Sequence, residues 1–368
     1  MQNNKWIVFV NLTAYPCETG GLEIFNYYLI NKLNKTYNTH QLTYCNDIDN
    51  SNFNIHKLKR LQFPKLTSPI QILLFLFRNK KDIRLVHVSF SRAFWTHWFV
   101  YVIAKKLLNI KYIMTIHGGG LAPWKPKWPY RSFFKNAELI TGVSDRIIQE
   151  YTKRSNREII YTPPLIPFEV INTKKKYVDK WKVKESDIIL LYAGSLKPLK
   201  SVDTLIEALG VLSLEKIRQH DLKVIIAGDG ISRKKLENRV NELNLKEVVR
   251  FLGIVDRKEM HELYNLADLY TICSEFEGLP ISLLEAFANN LPCVTSDAPG
   301  LKEISENNKN TILFKTKDYI DYSNKIELLL ESKQLQNRIK INSKTYYEKH
   351  FSYDVLMNEF KKLIEKVA

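Results

Sequence analysis

Cys273-Ser-Glu-Phe-Glu-Gly-Leu-Pro-Ile-Ser-Leu-Leu-Glu-Ala-Phe-Ala288 is the stretch whose reading decides the fold. A polar, acidic loop with Ser274, Glu275, Glu277 and Gly278 runs into Pro280. Ile281, Leu284, Glu285 and Ala288 then follow at helical spacing. Proline is favoured at the first helical position, where its missing N–H costs nothing, so the spacing predicts a helix opening at Pro280. A helix N-terminus carries unpaired N–H groups and roughly half a positive charge, which suits a phosphate. Glu277 falls before this helix start and Glu285 in its second turn. A diphosphate at the helix start with sugar hydroxyls on either side is what a nucleotide-sugar needs.

Outward from this stretch, the second half of the chain alternates strand and helix patterns. Ile188–Tyr192 reads as a strand, Ala193–Lys200 as a loop and Val202–Leu212 as a helix. Leu222–Ala227 is a strand that ends in Gly228-Asp229-Gly230, and a helix follows to about Leu243. Val248–Leu252, Leu269–Cys273 and Pro292–Thr295 read as further strands, with a helix over Arg257–Leu266. The first half repeats the logic. Trp6–Val10, Leu85–Ser89, Lys111–Ile116 and Leu139–Val143 read as strands, Leu22–Leu33 and Phe94–Leu108 as helices. Short apolar strands alternating with helices argue for an α/β fold with parallel, doubly wound sheets. Tyr161–Lys184, with Pro163, Pro164 and Pro167, interrupts the pattern and reads as the inter-domain connection. Tyr346–Val367 reads as an amphipathic helix with no strand after it.

A length of 368 residues suits two domains with separate cores. The formal charge of +16 is uneven: residues 1–170 hold 23 Lys/Arg against 10 Asp/Glu, and residues 171–368 hold 32 against 29. A basic first half points to an anionic partner. Cys17, Cys45, Cys273 and Cys293 are scattered without a Cys-x-x-Cys pair, which fits reduced thiols and gives no zinc signature. Met1–Lys5 leads straight into the first strand, so no secretory signal is expected. No apolar run approaches the roughly 18–20 residues that span a bilayer.

Ligands of open α/β sheets bind at the carboxyl ends of the strands. The glycine-rich and polar signals fall at those ends: Gly20-Gly21, His117-Gly118, Gly194–Lys200, Gly228–Gly230 and Glu277–Pro280. Each alone is as well read as a turn; together they point to a cleft between two domains. Lys200, six residues after Gly194, is placed to act as a point charge on a diphosphate. Glu277 and Glu285 resemble an acid–base pair, but Glu285 lies on a packed helix and suits ribose hydroxyls, leaving Glu277 for the reacting sugar. Asp47-Ile-Asp49 has the form of a metal-binding pair but lies among Asn46, Asn50, Ser51 and Asn52 and reads as a turn, so no metal is expected. Arg78, Lys80, Lys81, Arg92, Trp95, Trp98, Trp124, Lys125, Lys127, Trp128 and Arg131 interleave bases with aromatics, as at a membrane interface or a phosphorylated-lipid site. The same composition suits a single-strand nucleic-acid platform, and Trp95 and Trp98 also read as core.

At these residues the chain resembles the retaining glycosyltransferases of family 4, which have the GT-B fold. Glu277-Gly-Leu-Pro-Ile-Ser-Leu-Leu-Glu285 matches the family's E-x7-E signature, with Ser274 and Ala286 in pattern. Ala193-Gly194, Leu196, Lys200, Gly228–Gly230, Phe251–Gly253, Ala267-Asp268 and Asp297–Glu303 extend the likeness. Gly20–Glu23, Thr115–Gly118 and Val143-Ser144 carry it more loosely into the first half. The resemblance implies two Rossmann-like domains facing across a cleft, residues 1–165 for the acceptor and 166–345 for the donor, with the helix over 346–368 returning to the first. It implies Glu277 on the transferred sugar, His117 on the same sugar, Lys200 on the leaving diphosphate and Glu285 on the ribose. Gly21, Ser195, Gly253, Gly278, Leu279 and Pro280 complete the implied donor site. Two positions depart from the pattern. Ser195 stands where the family usually has Arg, which either lowers donor affinity or passes the missing charge to Lys197 or another base, and Ser201 stands for a glycine. Pro163–Pro167 replaces the usual Asn-Gly of the linker.

The expectation is therefore a hexosyltransferase, peripheral on the cytoplasmic face of the membrane, in bacterial surface-polysaccharide synthesis. It takes a hexose or N-acetylhexosamine from a nucleoside-diphosphate sugar, UDP ahead of GDP, to a lipid-diphosphate-linked or oligosaccharide acceptor. No cofactor and no nucleic acid enter. The alternatives are a nucleotide-sugar epimerase on the same fold and a non-catalytic nucleic-acid binder; the near-neutral second half ranks the binder last.

Overall fold

A computed structural model describes residues 5–14, 17, 21–46, 53–61, 64–90, 95–117, 128–162 and 177–367. The chain divides into two compact units, Met1–Pro167 with Ser352–Ala368, and Phe168–Phe351. The first contains β1 (Trp6–Val10), α1 (Gly21–Leu33), β2 (Asn38–Thr43), β3 (Asn54–Lys57), α2 (Pro64–Arg78), β4 (Ile83–Phe90), α3 (Trp95–Leu108), β5 (Lys111–Ile116), α4 (Trp128–Asn136), β6 (Leu139–Gly142), α5 (Asp145–Ser155) and β7 (Ile160–Tyr161). The second contains α6 (Val178–Trp181), β8 (Ile188–Ala193), α7 (Val202–Val211), α8 (Leu214–Gln219), β9 (Leu222–Ala227), α9 (Arg233–Glu242), β10 (Val249–Gly253), α10 (Arg257–Leu266), β11 (Leu269–Ile272), α11 (Ile281–Ala288), β12 (Cys293–Ser296), β13 (Ile312–Phe314), α12 (Tyr319–Glu331) and α13 (Lys333–His350). α14 (Tyr353–Val367) belongs to the first unit.

Each unit is a doubly wound α/β layer structure, as the sequence predicts. The seven-stranded sheet runs β3-β2-β1-β4-β5-β6-β7 and the six-stranded sheet β10-β9-β8-β11-β12-β13. Neighbouring strands pair in parallel in both. The strand order reverses between β1 and β4 in one sheet and between β8 and β11 in the other, and such switch points are where ligands bind.

The alternation of side chains along a strand distributes the core to both faces. In the second unit, Leu190 and Tyr192 of β8 join the cluster that contains Leu205 and Leu209 of α7 and Ile326 of α12. Ile189, Leu191 and Ala193 join the opposite cluster, with Leu263 of α10, Phe287 of α11 and Tyr347 of α13. In the first unit, Val8 and Val10 face Ile72 and Leu76 of α2, while Ile7 and Phe9 face Phe25 and Leu29 of α1 with Leu356, Met357 and Phe360 of α14.

Several features depart from the sequence reading. The helix expected over Tyr346–Val367 is two helices, α13 ending at His350 and α14 starting at Tyr353, with Phe351 as the C-cap between them. β2, Asn-Thr-His-Gln-Leu-Thr, carries no apolar alternation, yet Thr39, His40, Gln41 and Thr43 are buried. Its polar groups are satisfied sideways: Thr39 Oγ1 donates to Asn34 Oδ1 at 2.8 Å, His40 Nδ1 lies 2.8 Å from His56 Nε2, and Trp6 stacks on the His40 ring at 3.8 Å. The four cysteines are not all thiols. Cys17 and Cys45 form a disulfide with Cα atoms 5.8 Å apart, while Cys273 and Cys293 are free and buried. The pairing follows from topology. β1 and β2 are parallel neighbours, so the chain beyond Val10 and the chain beyond Thr43 leave the sheet side by side. A spacing of 28 residues gives no such hint.

Asp47, Asp49, Gly20, Gly118, Arg92, Trp124, Lys125, Lys127 and Pro163–Pro167 lie outside the described residues, as do the side chains of Trp95, Trp98 and Trp128. Among the described residues no helix is long and apolar enough to cross a membrane.

Candidate functional site

The β8 and β11 strands end side by side, and their outgoing loops build the site. After β8, Gly194 N–H donates to the Ala227 carbonyl at 3.0 Å and Leu196 N–H to the Asp229 carbonyl at 2.9 Å. The two backbones are thus in contact. A Cβ on Gly228, whose φ is +148°, would sit 1.8 Å from the Gly194 carbonyl oxygen. Gly228 therefore serves close backbone approach, and it also lines the cavity described below. The chain then makes a 3-10 turn over Pro198–Lys200, and Lys200 ends that turn two residues before α7.

This turn is stitched to the opening stretch. Glu275 N–H donates to the Leu199 carbonyl at 3.0 Å, and Cys273 Sγ donates to the Lys200 carbonyl at 3.3 Å. Ser201, in the left-handed region at φ 46°, donates from Oγ to Glu275 Oε1 at 2.8 Å. Lys317 lies 2.8 Å from the other oxygen of Glu275. A serine is thereby accommodated where the related pattern has glycine, because its hydroxyl finds a carboxylate.

Lys200 Nζ reaches Glu277 Oε1 at 2.5 Å, and Ser274 Oγ donates to the same oxygen at 2.6 Å. Glu277 keeps 10% of its side-chain surface and Lys200 26%. A carboxylate this buried needs such partners, since an unpaired one costs several kcal/mol. The Glu277 N–H donates to the Pro299 carbonyl at 3.1 Å, which hangs the loop on the segment after β12. Pro280 is the N-cap of α11, so the helix starts at Ile281, one residue later than the sequence predicts, and the Pro280 carbonyl accepts from Leu283 and Leu284 N–H.

Glu285, one turn further, is half-buried against Tyr264, whose hydroxyl donates to Oε2 at 2.7 Å. Burial raises its pKa above the usual carboxylate value, while the Tyr264 hydrogen bond and the Arg257 charge pull it back. These side chains surround a cavity of about 530 Å³ lined by Gly194, Ser195, Lys200, Asp229, Glu277, Leu279, Pro280 and Glu285, among others. Gly253 and Gly278 are not among its walls; Gly253 accepts from Gly228 N–H at 2.8 Å instead. Lys197 turns the other way, into a separate cavity with Ser201, Lys235, Glu275 and Lys317. Among the described lining residues Lys200 is the only Lys or Arg, so Lys197 does not replace the charge missing at Ser195.

Ile254, Val255 and Met260 also line the cavity, and the sequence reading missed them. The signal was present in α10, where Arg257, Met260 and Tyr264 fall on one helical face.

His117 follows β5 in the first unit, and Gly21 opens α1. The His117 ring meets Phe25 edge-on at 4.6 Å, and among the described residues its Nε2 is sealed without a hydrogen-bond partner. Burial holds its pKa down at about 3, so the imidazole is neutral near pH 7.

Two family models match the chain: "Glycosyltransferase Family 4" over residues 19–164 and "Glycosyl transferases group 1" over residues 173–346. An uncharacterised glycosyltransferase of Methanocaldococcus jannaschii is 26% identical over 360 residues, 95% of each chain. A Campylobacter jejuni α-1,4-N-acetyl-D-galactosaminyltransferase that acts on an undecaprenol-diphosphate glycan is 31% identical over 184 residues, 50% of this chain and 49% of that one. The crystal structure of Anabaena HepE in complex with UDP superposes with a TM-score of 0.78 at 16% identity, covering 98% of this chain and 100% of that one.

Proposed function

Because the chain belongs to the GT-B glycosyltransferases of the family 4 type, we propose that it transfers a hexose or N-acetylhexosamine from a nucleoside-diphosphate sugar to a lipid-linked glycan, with retention and without a metal. The observation that carries this reading is the Lys200–Glu277 contact in a cavity that also holds Glu285 and the start of α11. The nucleotide is UDP by analogy with the HepE complex, and the acceptor class by analogy with the Campylobacter enzyme.

In the reaction the donor's diphosphate meets Lys200, which neutralises the charge that grows as the anomeric C–O bond breaks. Glu277 is released from Lys200 to accept from the sugar's hydroxyls. Neutral His117 serves as a further hydrogen-bond partner of the sugar, and Glu285 holds the ribose. The acceptor hydroxyl attacks the face the nucleotide leaves. Its oxygen bonds to the anomeric carbon while its proton passes to the departing diphosphate. The positive charge of Lys200 is what makes a metal dispensable here.

Membrane association is supported by α2. Ile70, Leu74 and Phe77 are exposed at spacings of four and three, on one helical face, and exposed Arg78, Lys80 and Lys81 follow. This face suits the anionic inner surface of a cytoplasmic membrane.

The test is product analysis with UDP-sugars and undecaprenyl-diphosphate-linked acceptors. Free-donor turnover to an epimer without acceptor would identify an isomerase instead. The anomeric configuration of the product checks retention, and full activity in EDTA checks the metal claim. Lys200→Ala and Glu277→Ala each abolish most transfer; near-wild-type turnover in either overturns the site. Binding to anionic vesicles that weakens with salt checks the membrane claim.

A further inference from the structure

α10 presents one face to Glu285, and that face is built around a shared carboxylate. Tyr264 is fully buried, and its hydroxyl lies 2.7 Å from Glu285 Oε2 and 3.3 Å from the Ser282 carbonyl. It has one proton to give, and the nearer, charged acceptor takes it. Arg257, two turns earlier on the same face, stands 3.9 Å from the other oxygen, Oε1. Tyr270 of β11 and Tyr347 of α13 also feel the Glu285 charge. One oxygen of Glu285 is therefore pinned, and the other is left loosely held at the cavity that Glu285 lines. Without the Tyr264 bond the carboxylate would turn about its terminal torsion, which has broad, soft wells.

We infer that Tyr264 is a positioning residue: by fixing Oε2 it aims Oε1 at the ribose hydroxyls of the donor nucleotide and sets the site's preference for ribo over deoxyribo nucleotides. The inference rests on the donor reading of this cavity. A site built to hydrogen-bond a hydroxyl discriminates against the analogue that lacks it, because its polar group is then left unpaired. The discrimination depends on how tightly that polar group is held in place. Tyr264 touches no reacting atom and acts only through Glu285.

Tyr264→Phe keeps the ring and its packing and removes one oxygen. Binding of UDP, 2′-deoxy-UDP and 3′-deoxy-UDP is measured by calorimetry for the wild type, Tyr264→Phe, Glu285→Ala and the double variant. The wild type is expected to bind UDP at least tenfold tighter than one of the two deoxy analogues. In Tyr264→Phe, UDP weakens about tenfold and that analogue less than threefold, so the ratio collapses. In the Glu285→Ala background the second substitution adds nothing. The pH dependence gives a further mark: losing the Tyr264 bond raises the Glu285 pKa further, so the acid limb of UDP binding moves to higher pH. Equal weakening of UDP and both analogues by Tyr264→Phe, or an undiminished effect in the Glu285→Ala background, overturns the inference. Unchanged UDP binding in Glu285→Ala overturns the ribose role of Glu285 itself, and the role of Tyr264 with it.

Discussion

Gly300→Ala tests whether the loop that carries Glu277 is held by backbone contact. Gly300 has φ +83°, where an alanine costs on the order of 1 kcal/mol. The new Cβ would lie 2.1 Å from the Glu277 carbonyl oxygen and 2.7 Å from its carbonyl carbon, where real Cβ contacts stay above about 3.0 Å. The Glu277 backbone must then retreat by roughly 0.9 Å, and no flexible side chain is available to absorb the overlap. Strain of this kind typically costs about 1–3 kcal/mol. With the φ penalty, the loss is about 2–4 kcal/mol, or on the order of 4–16 °C in the melting temperature of a unit this size. The catalytic effect is expected to exceed the stability effect. A misplacement of about 1 Å can lower turnover on the order of a hundredfold. The assay is kcat for sugar transfer beside a melting scan by circular dichroism, at a temperature where the variant is fully folded. Gly210→Ala is the control. The atoms nearest its Cβ are those of the flexible Leu243 side chain, the first at 3.0 Å, and it sits in helix α7, so stability holds or rises and turnover is unchanged. A Gly300→Ala enzyme with wild-type turnover and melting would refute the idea that this contact sets the position of Glu277.

Three further outcomes follow from the same geometry. Ser201→Gly relieves about 1 kcal/mol of left-handed strain but gives up a bond to charged Glu275 of roughly 1.5–3 kcal/mol, so melting falls by a few degrees; a rise would show that bond to be idle. His87 and His117 are held near pKa 3 and His40 near 4 by burial, against an ordinary 6.5. The folded first unit therefore binds fewer protons than the unfolded chain. Its stability is complete above pH 6.5 and declines as pH falls toward 3, with fully buried His87 contributing about 1.4 kcal/mol per pH unit. A melting temperature flat from pH 7.5 to 5 contradicts this. Cys45→Ser, or reduction of the wild type, removes a crosslink closing a 28-residue separation and is expected to destabilise the first unit by about 2–4 kcal/mol while leaving the second unit's transition in place. A single transition unmoved by dithiothreitol would count against it.

The fold was legible because apolar strands such as Ile188–Ala193, buried on both faces, write themselves as continuous apolar runs. β2 was not, because its buried residues are polar and satisfy one another laterally, a pattern with no period to read. Lys200, Glu277 and Glu285 were found from spacing and do meet around one cavity. Lys197 is the substitute cation the sequence suggests, but it stands in extended backbone before the 3-10 turn that ends at Lys200 and lines another cavity, a turn that spacing alone does not reveal. Tyr264 escaped notice because a tyrosine on an amphipathic helix reads as core, which it also is. The disulfide escaped because it depends on two strands being neighbours, which only the topology states.

The first unit is made from both ends of the chain, with Phe168–Phe351 inserted between its pieces. During synthesis the inserted unit is contiguous and complete in sequence before Ser352 is added. The first unit, though begun earlier, waits with an open apolar face until α14 emerges. Leu356, Met357, Phe360 and Ile364 are each almost fully buried there, together worth about 6–12 kcal/mol as an upper bound. That is as much as a whole domain's net stability. A stop codon after Phe351 would therefore spare the fold of the cavity around Lys200 and Glu277 while leaving the N-terminal piece unable to hold its own, so α14 decides whether β1 stays folded.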